Sequence, residues 1–215
     1  MLAVLIPQLS AAQILTPGYE LTEDGFVSKE ICRMTYEKGY APQGMEVYKG
    51  YVISCRNRGA IHIFRFDGNT LEPVSNFLME STHENNHSNV ASFGPSFYDR
   101  KDPFPLLYVS QCAKQPAANG LKDVCFVERI MPDMQSSQLV QTIYYDDVNK
   151  DFGYALQWVV DKKNNMLYGY GNTTKDRDVE GNRHRIIKFR LPALEDSDEN
   201  GLVVLKPEDA REHYL

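Results

Sequence analysis

The chain has 215 residues, long enough to bury a substantial core. With 42% hydrophobic and 24% charged residues it has the balance of a folded protein and not of a disordered one. A net charge of -6 excludes the broad basic surface that sequence-independent nucleic-acid binding or an anionic membrane requires. Tyr (13) and Phe (10) are plentiful, and long runs of Ala, Glu, Leu and Lys are missing. This favours strands over helices, because aromatic and β-branched side chains fit a pleated, half-buried surface.

Residues 1–12 read as a signal peptide with a trimmed start. Met1 to Leu9 is mostly apolar, and small residues at Ser10 and Ala12 precede a cleavage point before Gln13. The stretch is shorter than the roughly 20 apolar residues of a membrane span, and it lacks a basic leader. The alternative is a frayed apolar tail. Residues 13–43 form an N-terminal segment in which Ile31 to Tyr36 (ICRMTY) is a candidate additional strand.

From Gly44 onward the same order of segments returns three times, over 44–80, 89–145 and 154–205. The first unit runs MEVYKGYVISC, the short RNRG connection, AIHIFRF, a turn at Asp67-Gly68-Asn69, and a strand near Pro73 to Met79. The second runs VASFGPSFYD, a turn at Lys101-Asp102-Pro103, PLLYVSQC, a polar loop, VCFVERI and QLVQTIYY. The third runs ALQWVVD, a turn from Lys162 to Asn165, MLYGYG, a polar loop, RIIKFRL and LVVL. Each unit is therefore strand, turn, strand, loop, strand, turn, strand. An Arg recurs near the end of every third strand, as Arg65, Arg129 and Arg190, and reads as a contact between units.

Four strands per repeat of about 40 to 50 residues is the pattern of a propeller blade. A single four-stranded sheet cannot bury both its faces, so such units come in series. The expectation is an all-β fold of the β-propeller type with three four-stranded blades in an incomplete ring. A β-sandwich with long loops is the alternative. In blade layout, over roughly residues 28–207, the chain resembles exported bacterial proteins of the six- or seven-bladed propeller class. The resemblance implies export to the periplasm, cell surface or medium, and a chain that is part of a larger propeller. Two copies completing one ring would instead make a homodimer. It brings no catalytic motif.

Candidate chemistry gathers on the loops that a propeller presents around the mouth of its channel, where variation costs the scaffold little. The strongest group is the connection His83-Glu84-Asn85-Asn86-His87-Ser88-Asn89. His83, Asn85, Asn86, His87 and Asn89 offer imidazoles and amides that suit a glycan or peptide. His83, Glu84 and His87 are a weaker alternative as metal ligands, short of a further donor. The same segment also reads as a polar turn whose Asn side chains bond their own backbone. Arg56, Asn57 and Arg58, in the short connection between the second and third strands of the first unit, would reach the same mouth or stand as solvated arginines. Arg177, Asp178, Arg183 and His184 are weaker candidates.

The acidic run Asp146, Asp147, Asn149 and Asp151 lacks the Gly and Glu of a calcium-binding loop and reads as a turn. Trp158 reads as core. Cys112 and Cys125 end and begin neighbouring strands, which allows either a disulfide or buried free thiols. No nucleophile elbow, zinc-protease helix, phosphate loop or dinucleotide fingerprint is present. The reading is thus a binding or scaffold propeller that recognises a glycan, peptide or partner protein through its loop face. A metal-assisted hydrolase or lyase is the alternative.

Overall fold

In the computed structural model the described residues are 19–22, 25–28, 34, 40–113, 115–176 and 178–214, the first two stretches by backbone alone. Residues 1–12, and all of 31–36 except Met34, lie outside them. Two short strands, β1 (Tyr19–Thr22) and β2 (Gly25–Ser28), pair as a hairpin. Next come β3 (Pro42–Tyr48), β4 (Tyr51–Arg56), β5 (Ala60–Phe66) and β6 (Leu71–Leu78), which form the first large sheet in chain order. The second sheet begins with β7 (Ala91–Phe93), β8 (Leu107–Ser110), β9 (Cys125–Ile130) and β10 (Ser137–Tyr145), again in order. The third contains β11 (Tyr154–Asp161), β12 (Met166–Asn172) and β13 (His184–Arg190). Of the last two strands, β14 (Leu202–Leu205) joins the second sheet and β15 (Glu212–Tyr214) joins the third. The protein is all-β, with three sheets of four to five strands, and no helix among the described residues is long and apolar enough to cross a membrane.

The quartet pattern is what the sequence led one to expect, with one exchange. LVVL (β14) does not close the third sheet. It lies parallel to β10 on the second, with Thr142 opposite Leu202 and Tyr145 opposite Leu205. The cause is the segment before it: Gln141 Nε2 donates to Ala193 O (2.7 Å) and Ser197 Oγ (3.0 Å), holding this stretch against β10. Val203 and Leu205 are then buried beside Ile143 and Tyr145. The fourth strand of the third sheet is β15, antiparallel to β13. The expected strand VASFGPSFYD is also shorter, because β7 stops at Phe93. Gly94 there passes so close to Tyr108 that a Cβ would fall 2.5 Å from its ring, and Pro95 has no N–H to extend the ladder.

The second sheet is buried on both faces. Leu107 and Val109 pack toward the first sheet, with Ile53, Cys55, Ile61 and Ile63. Tyr108, Cys125 and Val127 point the other way, into a core with Leu156, Trp158, Leu167 and Phe189 of the third sheet. Side chains alternate across a strand, so β8 supplies both cores with a simple period of two. Each fully buried large apolar side chain contributes about 1.5–3 kcal/mol.

The leading strands of the three sheets stand side by side. Gly44 on β3 donates its N–H to Ser88 O at 3.0 Å. A Cβ at Gly44 would lie 2.8 Å from Ala91 N, so only glycine permits this approach. Phe93 N donates to Glu46 Oε2 (2.9 Å), and Val160 N donates to Ser92 Oγ (3.1 Å). Ser110 Oγ accepts from Trp158 N (2.7 Å) and donates to Trp158 O (3.1 Å). These bonds fix the relative height of neighbouring sheets, which decides which loops meet.

The recurrent arginines do not link units. Arg129 holds Asp102, Arg65 reaches Tyr51, and Arg190 pairs with Asp196, each within its own unit. In each case the arginine lies at the end of its strand beside its own sheet's turn, so the nearest partner is local. Cys112 and Cys125 do not pair either. Cys125 sits opposite Ser110 and Ile143 in the sheet interior, Cys112 lies two residues past β8, and both thiols are free.

Glu128 on β9 is a buried carboxyl between the first and second sheets. One oxygen accepts Ser81 N–H at 2.9 Å, and Oε2 is buried with no partner among the described residues. Burial raises its pKa, partly countered by hydrogen bonds from Ser81 and Ser137. A raised pKa means that its share of stability is full below the unfolded carboxyl's value of about 4.3 and is lost as pH climbs through the folded value. Glu128→Gln keeps the neutral shape, so its urea midpoint relative to the native chain is expected to rise between pH 5 and pH 8. A constant difference would show the carboxyl to be indifferent to burial.

Candidate functional site

The connection from β6 to β7 is held by its own polar groups. Asn86 is fully buried: its Nδ2 donates to Ser81 O (3.0 Å) and its Oδ1 accepts Ser88 N–H (2.9 Å). His83 Nδ1 accepts Asn85 N–H at 3.1 Å. Beyond this turn the chain runs beside the end of β8, where His87 N bonds Gln111 O (3.0 Å) and Asn89 N bonds Ser110 O (3.1 Å). Ser88 takes φ +48° between them, a left-handed conformation unusual for a residue with a Cβ.

This path brings Asn85, His87 and Asn89 to one wall of a cleft of about 410 Å³. Cys112, Ala113 and Gln115, from the loop after β8, line its floor. The opposite wall belongs to the third sheet, with Tyr154, Ala155 and Gln157 from β11 and Asn172 from β12. A bulge in β11 between Tyr154 and Gln157, with Ala155 at φ +55°, shifts the register there. Across the cleft Asn89 Nδ2 donates to Gln157 Oε1 at 2.7 Å, and Tyr170 OH donates to the same oxygen at 3.0 Å. Asn172 Oδ1 is held by Asn182 Nδ2 (3.0 Å) and Asn85 Nδ2 by Pro116 O (3.0 Å). Among the described residues that line it there is no Asp, Glu, Lys or Arg.

Two of the expected site residues, Asn86 and Arg56, are structural. Arg56 is not a loop arginine: it is the last residue of β4, completely buried, with its Nη2 3.1 Å from His62 Nδ1. The strand extends one residue further than the turn signal indicates, which carries the guanidinium inside. Asn57 accepts from Gln43 Nε2 (2.7 Å) and thereby ties the start of β3. Arg58 is exposed, at φ +66°, and does not line the cleft. His83 and Glu84 also stand outside it, and among the described residues no three His, Cys, Asp or Glu side chains gather as metal ligands. His83, Glu84 and His87 therefore do not assemble a metal set. Arg177 lies outside the described residues, and Asp178, Arg183 and His184 do not line the cleft.

Cys112 carries the one thiol among the described lining residues. Burial, and then the carboxylate of Asp123, push its thiol up to about 11, against smaller downward effects of Asn89 and Lys122. The thiol is thus protonated at neutral pH, and the thiolate needed for attack is scarce. Alkylation of Cys112 by iodoacetamide is expected to be slow at pH 7 and to accelerate steadily up to about pH 11. Rapid labelling at pH 7 would contradict this environment. Asp123, beside it, has a raised carboxyl through burial, partly offset by Lys122 at 3.2 Å.

A second cleft of about 380 Å³ lies between the end of β13, β14 and the turn before β15, lined in part by Arg190, Asp196, Glu208 and Arg211. Arg190 and Asp196 are already paired at 2.8 Å, so its charge is largely internal.

No protein-family model matches this chain, and no curated protein sequence does. Among solved structures it is similar to the computationally designed Ika4 protein, at 13% identity and a TM-score of 0.38, covering 77% of this chain and 74% of that one. It is also similar to the computationally designed Ika8 protein, at 12% identity and 0.27, covering 70% and 58%. Likeness at this level carries no argument about fold or activity.

Proposed function

We propose that the chain is the blade-bearing part of an exported β-propeller that binds a ligand in the cleft between its second and third sheets. The propeller reading is supported by three successive antiparallel meanders, two of four strands and a third of three strands joined by β15, whose opening strands β3, β7 and β11 stand side by side. A sandwich would mix the strands of different units in shared sheets, and among the described residues only β14 crosses. Export rests on the apolar leader at 1–12 with its small residues before Gln13. The resemblance to the six- or seven-bladed bacterial class belongs to the same proposal.

The observation that carries the binding function is the meeting of Asn85, His87 and Asn89 with Gln157 and Asn172 of the next unit in one cleft. Amides that converge from separate loops of a rigid scaffold fix a ligand's orientation. Among the described lining residues the one thiol, Cys112, is held protonated at neutral pH by burial.

Glycan and peptide arrays probed with the native chain and with an Asn85→Ala, His87→Ala double variant test this reading. A ligand retained by the native chain and lost by the variant, at an unchanged melting temperature, is the expected result. Equal retention by both proteins places binding elsewhere and ends the proposal for this cleft. Turnover of the retained ligand would make the protein an enzyme.

A further inference from the structure

Resting on that binding site, we infer that the ligand is an uncharged carbohydrate, with neighbouring hydroxyls seated on the Asn89–Gln157 pair. Asn89 and Gln157 are bonded to each other at 2.7 Å, and that bond uses one amine of the pair and one carbonyl. Whichever way round the two amides lie, a donor and an acceptor remain side by side. A vicinal diol matches such a pair, because each hydroxyl both donates and accepts. Tyr170 holds the same carbonyl from behind at 3.0 Å, so the pair is oriented before any ligand arrives.

The rest of the lining selects against other ligands. A phosphate, sulfate or uronate is best held by a guanidinium or ammonium group, and among the described residues that line the cleft there is no Arg or Lys. A net charge of -6 repels polyanions at longer range as well. A peptide needs apolar hollows for its side chains or countercharges for its ionised ones. Here Ala113 and Ala155 are the only aliphatic side chains among the lining residues.

The backbone around the cleft is set in advance. Cys112 at φ +45° and Ala155 at φ +55° line it, and Ser88 at φ +48° lies between the lining residues His87 and Asn89, all in a region that non-glycine residues seldom occupy. Such conformations persist only where the surrounding bonds hold them, and they cluster at ligand sites. A rigid site suits a ligand whose own ring is rigid, since neither partner then loses much freedom on binding.

Isothermal titration of the full chain with cellohexaose, maltohexaose, xylohexaose, hexagalacturonate and a Ser-Gly hexapeptide tests the inference. At least one neutral hexasaccharide is expected to bind. Gln157→Glu is expected to weaken it about tenfold or more, since a bonded pair is worth that factor. Glu199→Ala, in a distant exposed turn, serves as the control and is expected to bind like the native chain. Far-ultraviolet circular dichroism confirms that both variants are folded. If the acidic hexamer or the peptide binds instead, with the same dependence on Gln157, the ligand class is wrong while the cleft remains the site. If a neutral sugar binds and Gln157→Glu and Asn89→Ala leave it unaffected, both the inference and the cleft reading fail. If no probe binds, the carbohydrate inference is overturned.

Discussion

Trp158→Ala is expected to lower the melting temperature by about 8–15 °C. Trp158 is 1% exposed at the centre of the core between the second and third sheets. Its ring packs against Phe189 with centroids 6.1 Å apart, and its Nε1 donates to Asp123 O at 2.8 Å. Truncation removes that packing and leaves both a cavity and an unpaired carbonyl, together about 4 kcal/mol. In a domain of this length each kcal/mol moves the midpoint by roughly 2–4 °C. Trp158→Phe keeps most of the volume and loses the Asp123 bond, so it should fall by a third to a half as much. Equal losses for the two variants would mean that the hydrogen bond, and not the packing, dominates.

Asp102→Ala should cost about 3 kcal/mol by urea unfolding, although Asp102 lies in a turn. Its side chain is buried and takes both Arg129 Nε and Nη2 at 2.9 Å, with Asp99 N–H as a third donor at 2.9 Å. Removing the carboxylate strands a largely buried guanidinium and a backbone donor together. The Arg129 guanidinium also lies 4.5 Å over the Tyr98 ring, so the loop from 98 to 102 would loosen with it. Asp102→Asn retains part of the bonding and should recover about half the loss. Fast hydrogen exchange at Asp99 in Asp102→Ala is the local signature, and its absence would show the loop to be held by other means.

Much of the fold was legible in the sequence because one constraint repeats. A sheet with two apolar faces needs neighbours, and strands such as YVIS, LYVS and LYGY carry that requirement along the chain. Trp158 read as core for the same reason, and the amide-rich segment 83–89 stood out by composition. What the pattern does not contain is the partner of a strand. LVVL joins β10 because Gln141 holds residues 193 and 197 against it, a contact between positions more than fifty residues apart.

The candidate site was half legible. Asn85, His87 and Asn89 were found from residue type, but the same rule also selected Asn86, which holds the turn, and Arg56, which is interior. Nothing in the sequence separates an asparagine that bonds its own backbone from one that faces a cleft. Gln157, Asn172, Cys112 and Gln115 were missed as site residues. Gln157 lies just past the bulge at Ala155, and an alanine at φ +55° gives no sequence signal. A glycine at that position would have been the usual sign.

If groups from two successive units act as one site, a ligand must perturb both units at once. Side-chain amide resonances of Asn89, Gln157 and Asn172, followed by nuclear magnetic resonance while a neutral hexasaccharide is added, test this most directly. All three pairs of N–H signals should move together and fit a single binding curve. Stationary signals at Gln157 and Asn172 while those of the 83–89 segment shift would show that the second and third sheets do not share a site.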